Sequence, residues 1–224
     1  MADNASERLI DLSHVIEEGM TTYNGLPGPH LCDYWTREES AANYDDGSTF
    51  QVGRIEMVAN TGTYVDSPFH RYADGRDLSQ LPLESLADLD GLVVRRPFEN
   101  GLMVDADAFA GLEVLGRAVL IHTGWSRYWR TDAYLSDHPF LTEAAARALI
   151  EGGAAFVGID SHNIDDTRVR ARPVHTLLLG AGIPIGEHLT ELHRLPDHGF
   201  RFSAVPPRIR GMGTFPVRAF AAIS

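Results

Sequence analysis

Short apolar runs, all far below the ~20 residues of a membrane span, most constrain how this 224-residue chain folds. Residues 92–95 (LVVR) and 118–122 (AVLIH) read as buried strands, and 154–159 (AAFVGI) reads as a third. Between the last two lies the best helix in the chain, 142–151. Thr142 stands at its N-cap, its interior is rich in Ala, and Gly152 and Gly153 end it. The segment 173–189 predicts a short helix opened by Pro173, a glycine-marked turn and another strand. Residues 8–12 alternate apolar and polar side chains as a first short strand, 50–60 are extended in character, and 200–205 form a late strand. A last extended stretch follows Pro206 and Pro207. Strands outnumber helices, and no regular βα repeat joins them. The expected fold class is therefore α/β, a single domain over residues 8–224 with a mixed sheet. Residues 1–7 are polar and expected to fray. Residues 20–48 are rich in Gly, Pro, Asn, Asp and Ser, with Tyr23, Tyr34 and Trp35 among them, and read as a long functional or interfacial loop. No GxGxxG occurs, which argues against a dinucleotide-binding dehydrogenase.

Charge and cysteine content narrow the function classes. The formal net charge is −12, so the cations that phosphate backbones or anionic lipids demand are in short supply. No nucleic-acid or membrane partner is expected, and a small-molecule substrate is. The N-terminal MADNASERLIDL has neither the basic start nor the apolar run of a signal peptide, so a cytoplasmic location is expected. Cys32 is the one cysteine, in a polar stretch without a motif. It excludes an intramolecular disulfide and any cysteine-rich metal centre, so a metal here binds through nitrogen and oxygen.

The densest chemistry lies in residues 60–71. Gly62 permits close approach or unusual backbone geometry, and Pro68 stiffens the path from Asp66 to His70. An Asp and a His four apart can converge on one metal, or one can orient the other. His175 and Glu187 flank an apolar segment, and a Glu in such surroundings needs a cation or a donor. Asp66, His175 and Glu187 together form an N/O donor set suited to Zn²⁺ or Mn²⁺. The cluster Asp160, His162, Asp165 and Asp166 reads as a hydrogen-bonded polar loop after a strand. Phe69, Trp125, Tyr23, Tyr34 and Tyr64 are candidates to line a substrate pocket, or to serve as core or interface aromatics. Arg71 and Arg54 can pair with a substrate carboxylate or with the chain's own acids. His188, His193 and His198 lie in a polar stretch and read as mostly solvated. Ser67 and Ser161 lack the GxSxG pattern of a nucleophile elbow.

Taken together these segments resemble the cyclase-like metal-dependent hydrolases, the family of bacterial kynurenine formamidase and isatin hydrolase. The family pattern HxGTHxDxPxH is matched by Asn60-Thr61-Gly62-Thr63-Tyr64-Val65-Asp66-Ser67-Pro68-Phe69-His70. Further likeness lies in IDLSH at 10–14, LIHTGW at 120–125, GIDSHNID at 158–165, HTLLLGAGIPIGEHL at 175–189 and PVRAF at 216–220. The resemblance implies the swivelling β/β/α fold and a homodimer or larger homo-oligomer. It implies metal ligands at Asp66, His175 and Glu187, and a proton shuttle at His70.

Two positions depart from the pattern. The first two motif histidines, which hold a metal in the family, are Asn60 and Tyr64 here. An Asn amide is a weak zinc donor, and Tyr binds metal well only as phenolate, from a reference pKa of about 10. One ion rather than two is the expectation, with Tyr64 as an oxyanion donor and Asn60 near the substrate. The first reading is thus a mono-metal hydrolase of a small amide, cyclic imide or lactone. The rival is a metal-free member that binds a small molecule or performs non-hydrolytic acid–base chemistry.

Overall fold

The computed structural model describes residues 8–223, and the expectation for residues 1–7 lies outside the described residues. The strands are β1 (Arg8–Asp11), β2 (His30–Trp35), β3 (Val52–Glu56), β4 (Tyr64–Asp66), β5 (Leu89–Arg95), β6 (Met103–Val104) and β7 (Ala118–His122). They continue with β8 (Phe140–Leu141), β9 (Phe156–Ile159), β10 (Ile185–Glu187), β11 (His198–Ser203), β12 (Thr214–Pro216) and β13 (Phe220–Ile223). The helices are α1 (Arg37–Ser40), α2 (Glu143–Glu151) and α3 (Pro173–Gly180). A nine-stranded sheet runs in the order β1-β13-β11-β5-β7-β9-β10-β4-β12. Its centre, β5-β7-β9-β10, is parallel, and both flanks are antiparallel. The mixed α/β class and the single domain are as the sequence led us to expect.

The apolar runs form the middle of this sheet because both of its faces are covered. Along β7, Val119 and Ile121 pack under the helices with Leu149, Val174 and Leu178. Ala118 and Leu120 point the other way, against Ile10, Phe156, Phe202 and Ala221. Fully burying a side chain of Leu or Ile size contributes about 1.5–3 kcal/mol, so these two layers hold the parallel centre in place. Helix α2 starts where the sequence placed it, with the Thr142 hydroxyl accepting from the Ala145 N–H at 3.1 Å.

The loop expected at 20–48 needs correcting. It contains β2, which pairs antiparallel with β3 as a separate two-stranded sheet, and the short helix α1 with a capping box at Thr36 and Glu39. Pro27, Pro29 and the glycines around them hid a strand that starts right after the last proline. Tyr34 and Ile55 stand on this hairpin at 67% and 60% exposure, outside any packed core.

Candidate functional site

The site is built on β4, a three-residue strand between β10 and β12. Tyr64 lies directly opposite Glu187, and Asp66 lies opposite Thr214. Opposed residues share a face, and Asp66 shares it with Tyr64 because side chains repeat every two residues. Val65, between them, points into the other core. Helix α3 brings His175 to this face while Val174, Leu178 and Leu179 anchor it in the core.

Asp66, Tyr64 and Glu187 are buried completely or nearly so. Nε2 of His175 lies 3.6 Å from Oδ2 of Asp66 and 3.6 Å from Oε1 of Glu187. Donors around an ion with bonds of ~2.1 Å sit ~3.4 Å apart in a tetrahedral arrangement, so these spacings suit a shared cation. Oδ2 of Asp66 is buried and has no hydrogen-bond partner, a state that costs free energy unless something charged fills it. Asp66, His70 and His175 together bring donor atoms to within 4.8 Å of one another. The chain therefore assembles an N/O cluster fit for a divalent cation.

The imidazole of His175 is aimed from behind. Asp165 receives its Nδ1 at 2.6 Å and its backbone N–H at 3.0 Å, and receives the Val174 N–H at 2.8 Å. That carboxylate fixes the proton on Nδ1 and leaves Nε2 for Asp66 and Glu187. Burial opposes a charged His175, yet Glu187, Asp165 and Asp66 outweigh it and raise the imidazole above its ordinary range. Burial, with the Asp66 charge, raises Glu187, against the pull of His175. Three carboxylates around one ring draw positive charge to this point, as a proton or as a metal ion.

Asn60 and Tyr64 occupy the remaining side of the cavity. The Tyr64 hydroxyl donates to Oε2 of Glu187 at 2.6 Å, and the Ile164 N–H donates to Oε1 at 2.6 Å. Burial, together with the charges of Glu187 and Asp66, pushes Tyr64 well above 10, so it stays a neutral phenol. The Asn60 side chain lies beside the same hydroxyl and offsets this rise only slightly.

His70 follows β4 in a 3₁₀ turn opened by Pro68. The Thr214 hydroxyl donates to Oδ1 of Asp66, and Nδ1 of His70 lies 2.9 Å from the Thr214 hydroxyl oxygen and 3.5 Å from Oδ1 of Asp66. A hydroxyl has one proton to give, so its lone pair receives the Nδ1–H of His70 and leaves Nε2 unprotonated. The close approach of β12 needs Gly213, where a Cβ would fall 2.5 Å from the His70 backbone nitrogen. Gly62 sits at φ +66°, the geometry anticipated for it.

The cavity over this cluster has a volume of about 230 Å³. Asp66, His70, His175, Glu187, Tyr64, Asn60 and Arg71 line it, joined by Tyr23, Leu26, Asn163 and Arg172. Of the other pocket candidates, Trp125 sits elsewhere, 7% exposed, with its indole N–H on the Tyr134 carbonyl at 3.1 Å and its ring against Phe98 and Tyr128. Phe69 is half-buried beside the site without lining the cavity, and Tyr34 is on the β2–β3 hairpin. Arg54 lies on β3, 3.8 Å from Glu56.

Beyond the lining residues Leu26, Asn163 and Arg172, the sequence reading missed three residues that stand behind the site. Thr214, 148 positions from Asp66, carried no signal. Asp165 stood in the cluster read as a polar loop. Part of that reading holds, since Asp160 ties down Thr123 and Gly124. Asp165, however, serves His175. His188, read with its neighbours as solvated, is fully buried among Tyr64, Trp129, Tyr134 and His162, with Nδ1 2.8 Å from the Tyr134 hydroxyl. Its polar letter misled because the rings around it lie far apart in sequence. His193 and His198 are exposed.

Comparison with known proteins agrees with this architecture. A family model described as "Putative cyclase" matches residues 10–166. The kynurenine formamidase of Salinibacter ruber is 28% identical over 219 residues, covering 94% of this chain and 95% of the relative. A solved structure described as a potential metal-dependent hydrolase with cyclase activity matches at TM-score 0.80 and 26% identity, over 98% of this chain and 99% of that one. An isatin hydrolase bound to the product analogue thioisatinate shares the fold at TM-score 0.84 and 20% identity, over 98% and 94% of the two chains.

Proposed function

Since the chain belongs to the cyclase family, we propose that it hydrolyses a C–N bond, other than a peptide bond, in a small amide or cyclic imide, or the C–O bond of a lactone. One divalent ion, Zn²⁺ or Mn²⁺, is held by Asp66, His175 and Glu187, and His70 moves the proton. The observation that carries this reading is the buried, partnerless Oδ2 of Asp66 facing Nε2 of His175. The kynurenine formamidase relatives, aligned over nearly the whole chain, support the bond class.

When bound, the ion lowers the pKa of a water and polarises the substrate carbonyl. The chain's own residues do the rest. Nε2 of His70, free through its Thr214 contact, takes a proton from the water as its oxygen bonds to the carbonyl carbon. The same proton passes to the leaving nitrogen as the C–N bond breaks, giving a carboxylic acid and an amine. Tyr64 keeps its proton and pins Glu187 from one side while Ile164 pins it from the other. Tyr64 has only this one proton, so it supports a developing oxyanion only by releasing its bond to Glu187.

One observation favours the rival, metal-free reading. Both Glu187 oxygens already accept a hydrogen bond, so this carboxylate is satisfied without an ion. Assays of released acid from aryl formamides and cyclic imides, with and without chelator, separate the two. Chelator-sensitive hydrolysis that His70→Ala slows 10²-fold or more supports the first reading. No released acid from any substrate after metal loading supports the second, and chelator-insensitive release overturns the metal while keeping the hydrolysis. The exposed Tyr34, Trp35 and Ile55 of the β2–β3 hairpin support assembly into a homodimer or larger oligomer, which light scattering on the eluted protein tests.

A further inference from the structure

Two arginines share the cavity with the acidic cluster, and neither forms an ion pair with any described residue. Arg71 donates through Nε to the Thr176 hydroxyl at 3.2 Å, and that hydroxyl donates to the Arg172 carbonyl at 2.7 Å. The Arg172 guanidinium is moored through Nη1 to the carbonyls of Asp166, Val169 and Ala171. The outer nitrogens of Arg71, and Nε and Nη2 of Arg172, have no hydrogen-bond partner among the described residues. Thr176 therefore ties the Arg71 side chain to the first turn of α3, one residue past His175, while the Arg172 side chain is held by the loop that leads into the helix.

Asp66 and Glu187 line the same cavity, and they lie beyond ion-pair distance of both arginines. The two signs of charge are thus held apart within one small space. Leaving two guanidinium groups unpaired in a chain of net charge −12 suits a ligand that supplies the missing anion. A cavity of about 230 Å³ has room for more than a benzene-sized ring, which fits an engineered cavity of roughly 150 Å³. Tyr23 and Leu26 offer the apolar wall for such a ring.

Resting on the hydrolase reading above, we infer that the substrate carries a carboxylate remote from its scissile carbonyl, read by Arg71 and Arg172. The carbonyl meets the Asp66–His175–Glu187 end, and the carboxylate meets the arginine end. The pair of arginines thereby selects a small acidic amide or imide over its neutral analogue.

The test uses formanilide and its 2-, 3- and 4-carboxylates, the formamidobenzoates, with metal-loaded protein. The expected result is a kcat/KM for at least one acid tenfold or more above formanilide, expressed mainly in KM. Arg71→Ala and Arg172→Gln each lower that acid-to-neutral ratio at least tenfold. A ratio near one in the wild type, or one unchanged in both variants, overturns the inference. Arg71 is exposed, so its variant carries the test even where Arg172→Gln unfolds. If no compound is hydrolysed, the hydrolase reading fails on its own, and ligand binding still decides the arginine question. Benzoate, but not benzamide, then raises the melting temperature of the wild type and not of Arg71→Ala. Equal effects of benzoate and benzamide, or a benzoate effect kept in Arg71→Ala, overturn it.

Discussion

Replacing Asp165 by Asn tests how the His175 ring is held. The change keeps size and burial but turns one carboxylate oxygen into an NH₂ group. At present Asp165 accepts three hydrogen bonds, from the Val174 N–H, the His175 N–H and Nδ1 of His175. In the variant the amide oxygen can keep one side, and the NH₂ then faces donors. Relief comes from moving the ring proton to Nε2, so that Nδ1 accepts from the amide. That tautomer points a proton instead of a lone pair at Asp66 and Glu187. Loss of such a supporting carboxylate weakens metal affinity about 10–100-fold. The folded protein also loses charge-assisted bonds at a fully buried side chain, at a cost of about 1.5–3 kcal/mol. Competition titration of Zn²⁺ against a chromophoric chelator gives the first number, and urea unfolding of metal-free protein gives the second. Metal affinity within twofold of wild type, with stability unchanged, refutes the reasoning about the tautomer.

Three further expectations follow from the same geometry. Asn60→His with Tyr64→His restores two imidazoles beside Asp66 and raises metal content from one ion per chain toward two by elemental analysis. Gly213→Ala sets a Cβ against the backbone nitrogen of His70, and calorimetry will show a loss of about 1–3 kcal/mol with a matching fall in activity. Burial pushes His14 and His122 down to about 4, His162 to about 3 and His188 well below 6.5, so these rings fold uncharged. Their unfolded forms take up protons below pH 6.5, so the stability they contribute is present above that pH and is lost as pH falls. Between pH 6.5 and 5 each of His14, His122 and His162 removes about 1.5 kcal/mol, and His188 acts in the same direction. Asp160, raised by burial to about 6, and Glu187 and His175, both also raised, run the other way and return part of it. Metal-free protein should be less stable to urea at pH 5 than at pH 7, and equal stability at both values contradicts the buried neutral histidines.

Legibility from sequence followed the range of the interactions. The strands β5, β7 and β9 and the helix α2 were readable because their signals are local: apolar runs, one N-cap threonine, two glycines. Asp66, His70, His175 and Glu187 were readable because each sits in a short string of recognisable spacing. Thr214 was not, since only the β4–β12 register brings it to Asp66. Asp165 was half legible. Its cluster was noticed, but its reach to His175 depends on how the loop turns back onto α3. The strand β2 was hidden by the prolines and glycines before it, and burial of His188 depends on rings from four separate segments. Tyr64 was recognised as a departure, while its bond to Glu187 rests on their facing positions in paired strands.

In the proposed mechanism one divalent ion bound at Asp66, His175 and Glu187 drives hydrolysis. The most direct measurement is metal content by elemental analysis of protein purified without chelator, paired with activity as metal is stripped and returned. The account predicts one ion per chain, activity that follows occupancy through stripping and re-addition of Zn²⁺ or Mn²⁺, and loss of both in Glu187→Ala. Full activity in protein that holds no metal, or unchanged metal content in Glu187→Ala, would contradict it.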